Sequence, residues 1–169
     1  ATATTLGSGQ VLAVGGSPSG VTEVFTPNAG SPTAGTWAVT SATLVTPRSR
    51  HVAVRLLDGR VLVAGGEDAG GAGLASCEVF VAAGSPMAPA SPLGTARRDA
   101  TATLLPDGKV LVVGGRDALG LPLATAEVYD PLFDTWTPTA GPLATARSLH
   151  SAVFLDGADA NPANDRVWI

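Results

Sequence analysis

Lysine is nearly missing from this sequence: of ten basic residues only Lys109 is a lysine, and fourteen acidic residues leave a net charge of −4. With no basic field to gather phosphates, nucleic acid and anionic membrane surfaces are excluded as partners. Charged residues of both signs make up only 14% of the chain, against about 25% in an ordinary soluble domain. A lone cysteine, Cys77, rules out an internal disulfide and any cysteine-based zinc cluster. No apolar run approaches the roughly 20 residues of a membrane-spanning helix, and no charged-then-apolar signal pattern is present. Ala1 in place of an initiating methionine is compatible with a removed leader, so the compartment stays open.

What is abundant points to a globular all-β domain. The 169 residues are 45% apolar, enough for a core, and 21 glycines with 13 prolines make turns frequent and long helices unfavourable. Self-comparison then finds a period of 49 to 50 residues. Gly15-Gly16, Gly65-Gly66 and Gly114-Gly115 each end an apolar run. Arg48, Arg97 and Arg147 keep the same step, with Leu44, Leu93 and Leu143 four residues earlier and Ala53, Ala102 and Ala152 five residues later. A third set is Glu23-Val24-Phe25, Glu78-Val79-Phe80 and Glu127-Val128-Tyr129.

Within each period the apolar runs are short and bounded by Gly, Pro, Asp and Asn, which predicts four strands per unit. In the third unit these are Ala100 to Leu105, Lys109 to Val113, Thr125 to Tyr129, and a strand around Thr135-Trp136-Thr137. Pro106-Asp107-Gly108 is the first hairpin turn, as are Asp58-Gly59 and Ser8-Gly9 in the other units. A unit of this size cannot bury both faces by itself and must stack on its neighbours.

Val110-Leu111-Val112-Val113-Gly114-Gly115 followed by Tyr129 and Trp136 resembles the Kelch repeat. Unit one carries Gly15-Gly16, Phe25 and Trp37; unit two carries Gly65-Gly66 and Phe80 but has Met87 in the tryptophan position. The resemblance implies β-propeller blades with the first strand of each unit innermost. A single domain over 1–169 then holds blades at about 1–47, 48–96 and 97–146, and a half blade at 147–169. Roughly three and a half blades fall short of the 4 to 8 of closed propellers, so the ring is expected to be completed by another copy, a dimer for example, or by missing sequence.

By the same resemblance, an arginine just before the innermost strand can project toward the channel mouth and hold acidic groups of a partner. Arg48, Arg97 and Arg147 are therefore the candidate ligand-binding residues for a protein or small polar ligand. The competing reading pairs them with Glu23, Glu78 and Glu127 as structural ion pairs within or between blades. Loops of unequal length follow the glycine pairs, and Glu67-Asp68 and Arg116-Asp117 in them could shape specificity but are read first as solvated charges, so Asp117→Ala is expected to change little.

No metal site, cofactor or catalytic group is expected. Some Kelch-like propellers are copper oxidases needing two His, two Tyr and a Cys. This chain has His51 and His150 but only Tyr129, in a slot that Phe25 and Phe80 also fill and that asks for a ring, not a phenol. Cys77 is read as a small buried filler. The insert from Asp156 to Asp165 offers oxygens for calcium but lacks regular spacing, so a polar turn is expected. No Ser-His-Asp set, phosphate loop or carboxylate pair can be placed. The expected function is non-enzymatic binding and self-assembly; the alternatives are a part of a larger galactose-oxidase-like or carbohydrate-active propeller, or an engineered or excised fragment. The Lys-poor, Ala- and Gly-rich composition and the Asp58 to Gly66 phrasing suggest, by analogy, an exported bacterial protein.

Overall fold

Short β-branched and aliphatic runs, each cut off by a turn residue, become strands as the spacing predicts. The computed structural model describes residues 1–30, 34–82, 84–155 and 166–169; the Asp156 to Asp165 insert lies outside them. The first unit is β1 (Thr2–Thr5), β2 (Val11–Val14), β3 (Thr22–Pro27) and β4 (Gly35–Val39). The second is β5 (Val52–Arg55), β6 (Val61–Ala64), β7 (Cys77–Phe80) and β8 (Ala88–Ala90). The third is β9 (Thr101–Leu104), β10 (Val110–Val113), β11 (Ala126–Asp130) and β12 (Thr135–Pro138), followed by a hairpin of β13 (Val153–Leu155) and β14 (Arg166–Trp168). Each unit is one antiparallel sheet in sequence order, and no helix occurs among the described residues. The innermost strands β1, β5, β9 and β13 are neighbours in that order, which is blade packing.

Alternation along each strand sends one set of side chains to the preceding blade and the other to the next. Leu12, Val14, Val24 and Leu44 of blade one meet Val61, Val63, Phe80 and Met87 of blade two. Leu62, Ala64, Cys77 and Val79, on the opposite face of blade two, meet Val110, Val112, Tyr129 and Trp136 of blade three. Met87 thus fills the tryptophan slot of unit two from within the first core. Cys77 is buried in the second, where burial pushes its thiol up to about 11. That suits a filler and not a nucleophile.

The hydrogen bonds of the outer strands qualify the idea that the aromatic slot asks only for a ring. The Tyr129 hydroxyl donates to Asp134 at 2.8 Å, Asp134 accepts from the Ser91 amide at 3.0 Å, and Trp136 Nε1 donates to the Ser91 carbonyl at 2.8 Å. This network ties blade three to the exit of blade two, a contact no phenylalanine can make.

Trp168 stands opposite Val153 as Leu62 stands opposite Val54 and Leu111 opposite Thr103, so its register is that of a second-strand residue. The indole is nonetheless 64% exposed, because no blade follows β14 among the described residues, whereas Leu62 is 1% exposed.

If Trp136 is an interblade anchor, Trp136→Ala should lower unfolding free energy by roughly 3 kcal/mol and Tyr129→Phe by roughly 1, measured by urea denaturation. The reverse order would refute this packing.

Candidate functional site

The glycine pairs explain how the face that carries the candidate residues is built. Both glycines of each pair have positive φ, between 61° and 96°, which costs other residues strain. The amides of Gly16, Gly66 and Gly115 donate to the carbonyls of Arg48, Arg97 and Arg147 at 2.9, 2.8 and 2.9 Å. Those carbonyls also pass within 2.6 Å of where a Cβ on Gly15 or Gly114 would sit. Each pair is therefore a dock for the chain that opens the next blade.

The arginine side chains turn inward from the same residues. Arg48 donates to the carbonyls of Gly65 and Ser76 at 2.9 and 2.6 Å and to Glu78 at 2.7 Å. Arg97 repeats this with Gly114, Thr125 and Glu127 at 2.9, 3.0 and 2.7 Å. The carboxylates in turn accept from the linker amides, Glu78 from Val45 and Thr46, Glu127 from Gly94 and Thr95. Arg48 and Arg97 are 2% and 1% exposed. This placement does not suit the expected ligand contact: these two guanidinium groups are turned into the fold and engaged there, since a buried charge needs close partners. Arg147 is half-buried and donates to the Ile169 carbonyl at 3.1 Å. The structure does not bring the three arginines together, because each sits at its own blade junction.

His51 and His150 serve the same junctions. His51 Nε2 lies 2.9 Å from the Thr2 hydroxyl, and His150 Nε2 lies 2.9 Å from that of Thr101. Where unit three has Ala100 in place of histidine, unit two has Val52 at the strand position that Thr2 and Thr101 hold, and both are partly buried against the second core. Polar residues at two junctions thus give way to apolar ones at the middle junction. Burial foremost, then the positive charges of the amino terminus and Arg48, lowers the pKa of His51 to about 4; burial and Arg147 lower that of His150.

The face formed by the glycine-pair docks carries five charged side chains that the repeat did not single out together. Arg50 donates from Nε to Asp99 at 2.9 Å and contacts Glu67 at 3.4 Å. Arg98 Nε lies 3.3 Å from Glu67, and Arg116 Nε lies 3.8 Å from Asp99. Arg50, Asp99 and Leu149 occupy one repeat position, all with φ near +55°. Their backbones are linked: Asp99 donates to the Arg50 carbonyl at 3.0 Å and Leu149 to that of Asp99 at 3.1 Å. Spacing alone pointed past this position because its residue type changes from unit to unit.

The flanking loops are alike in construction. Asp68 Oδ1 accepts from Gly70 and Ala72 at 2.8 and 2.9 Å, and Asp117 Oδ1 from Leu119 and Leu121 at 2.9 Å each. Asp117 consequently shapes its loop through these two bonds, beyond the solvated role read from the sequence. In blade one the loop from Ser17 to Gly20 is too short to do the same. A crevice of about 170 Å³ opens there between Pro18, Pro47, Ser49 and Asp68. At the next junction Gly73 lies against Ala118.

Four-stranded sheets joined by inner-strand contacts define a run of β-propeller blades. Residues 97–142 match the Kelch motif, so the chain carries the Kelch repeat, and the other two units share its register. No curated protein matches the sequence. Among solved structures, a fungal alcohol oxidase of the AA5 family, in complex with copper, aligns at 25% identity with a TM-score of 0.59. The alignment covers 83% of this chain and 30% of the oxidase. A copper centre does not fit these residues. His51 and His150 are spent at different junctions, Cys77 is buried in the second core and Tyr129 is bonded to Asp134. Among the described residues no three His, Cys, Asp or Glu side chains converge as metal ligands.

Two measurements check this account. Arg97→Ala strands Glu127 in a buried site and should cost roughly 3 to 5 kcal/mol in a thermal or urea melt, far more than Arg147→Ala. His51 is neutral in the folded state down to about pH 4, whereas the unfolded chain takes up its proton near 6.5. Stability should therefore be full above pH 6.5, fall by about 3 kcal/mol as pH drops to about 4, and level off for this group below that. Replacing both partners with the pair seen at the middle junction, Thr2→Val with His51→Ala, should flatten that slope in urea titrations at pH 7 and 4.5.

Proposed function

We propose that this chain is a non-enzymatic Kelch propeller module that binds a ligand or protein at its channel-mouth face and assembles with further blades supplied by a second copy. The observation that carries assembly is the leading sheet face of blade one. Phe25 and Trp37 pack there as a tilted pair with ring centroids 5.2 Å apart, as Tyr129 and Trp136 do at 5.0 Å. Yet Trp37 is 56% exposed and Val39 66%. At the equivalent positions blades two and three bury Phe80, Met87 and Tyr129 against a preceding blade. Apolar faces of this kind are covered in propellers, and Trp168 at the other end of the chain presents a second one. The charged mouth, framed by loops of unequal length, is where a ligand would be recognised.

A second reading, a portion of a larger propeller enzyme, draws support from the oxidase alignment, which spans 30% of that chain. Its chemistry would then reside in blades outside this sequence.

Light scattering over a range of concentrations tests the first reading. A defined mass that is a multiple of 16.7 kDa, reduced to one copy by Trp37→Glu with unchanged circular dichroism, is the expected result. A folded single-chain mass at every concentration overturns self-assembly, and aggregation without stoichiometry favours missing blades.

A further inference from the structure

The mouth cluster contains an arrangement that the repeat itself does not require. Arg98 and Arg116 are directly opposed across an antiparallel bridge and exchange both backbone hydrogen bonds, at 3.0 and 2.7 Å. Residues paired in this way present their side chains to one side, and like charges so placed repel. The corresponding pair in blade two is Ser49 and Glu67, which shows that the bridge forms without two arginines.

The charges nearby do not balance. Among the described residues Arg50, Arg98 and Arg116 form ion pairs with two carboxylates, Glu67 and Asp99, and each carboxylate is shared. Arg50 engages both oxygens of Asp99, leaving Arg116 at 3.8 Å from it. The donors are also incompletely used. Arg98 Nη1 donates to the Gly71 carbonyl at 3.1 Å and Arg116 Nη1 to that of Gly120 at 3.2 Å. The Nε atoms of both arginines are buried without a hydrogen-bond partner, although Glu67 and Asp99 are within charge contact. No hydrogen bond among the described residues uses Nη2 of either. Arg116 remains 37% exposed, so the pair can be reached from solvent.

We propose that the opposed Arg98 and Arg116 side chains bind one carboxylate group of a small organic acid. The excess of one positive charge matches one negative charge, where a phosphate dianion would overshoot it. Planar guanidinium forks suit the two oxygens of a carboxylate, and its insertion relieves the repulsion between the pair. This inference rests on the ligand-binding part of the proposed function, not on assembly.

The test uses the full chain labelled with ¹⁵N, following arginine Nε–H signals by NMR during titration with acetate, with mass recorded on the same sample. Acetate should shift the Arg98 and Arg116 signals to saturation, while acetamide, and chloride at matched ionic strength, should not. Arg116→Gln should weaken acetate by about tenfold or more, the loss of one charge-assisted contact. Arg98→Lys, which keeps the charge but not the fork, provides a second variant and should also weaken it. A response that does not saturate, that chloride or inorganic phosphate reproduces, or that survives both variants overturns the carboxylate site. An assembled chain indifferent to acetate sinks this inference alone. A single-copy chain that binds acetate sinks self-assembly alone.

Discussion

The structure depends on one interaction, the docking of an arginine carbonyl onto the glycine pair of the preceding blade. Two residues without a Cβ let that carbonyl approach, and positive φ turns the second amide toward it. The same arginine then sends its side chain the other way, into the carbonyls and the glutamate of its own blade. One residue thus binds two blades, its backbone to one and its guanidinium to the next. The glutamate extends the connection by accepting the linker amides, so the chain crossing between blades is held at both ends. Remove the arginine and a buried carboxylate loses its counter-charge at the point where two sheets meet.

Because the junctions are fastened from within, the positions beside them are free to vary, and the variation is paired. Thr2 with His51 and Thr101 with His150 are polar contacts, while the corresponding Val52 and Ala100 are both apolar and partly buried. Each solution avoids leaving one polar partner facing an apolar one. The position two residues after the docking arginine has no partner of that kind. It holds Arg50, Asp99 or Leu149 in the same left-handed backbone, and its side chains form the polar mouth.

Three classes of feature were legible in the amino-acid order to different degrees. Strand positions, turn residues and blade register followed from period and alternation, since both are local; the strands of unit three lie within about one residue of where the pattern puts them. The amino-acid order leaves the recurring arginines open to ion pairing or ligand contact, and the structure places Arg48 and Arg97 in buried pairs with Glu78 and Glu127. The Arg50, Glu67, Arg98, Asp99 and Arg116 cluster was not legible, because its members come from two blades and break the repeat.

The sequence by itself determined the all-β class, the four-stranded unit and the need for stacking, because hydrophobic period and glycine placement are properties of neighbouring residues. Only the tertiary structure decided which charges are buried, which are shared and which remain open. Those outcomes depend on distances across blade junctions, between residues 49 or even 71 positions apart, and Coulomb and desolvation energies respond to such distances and not to order along the chain.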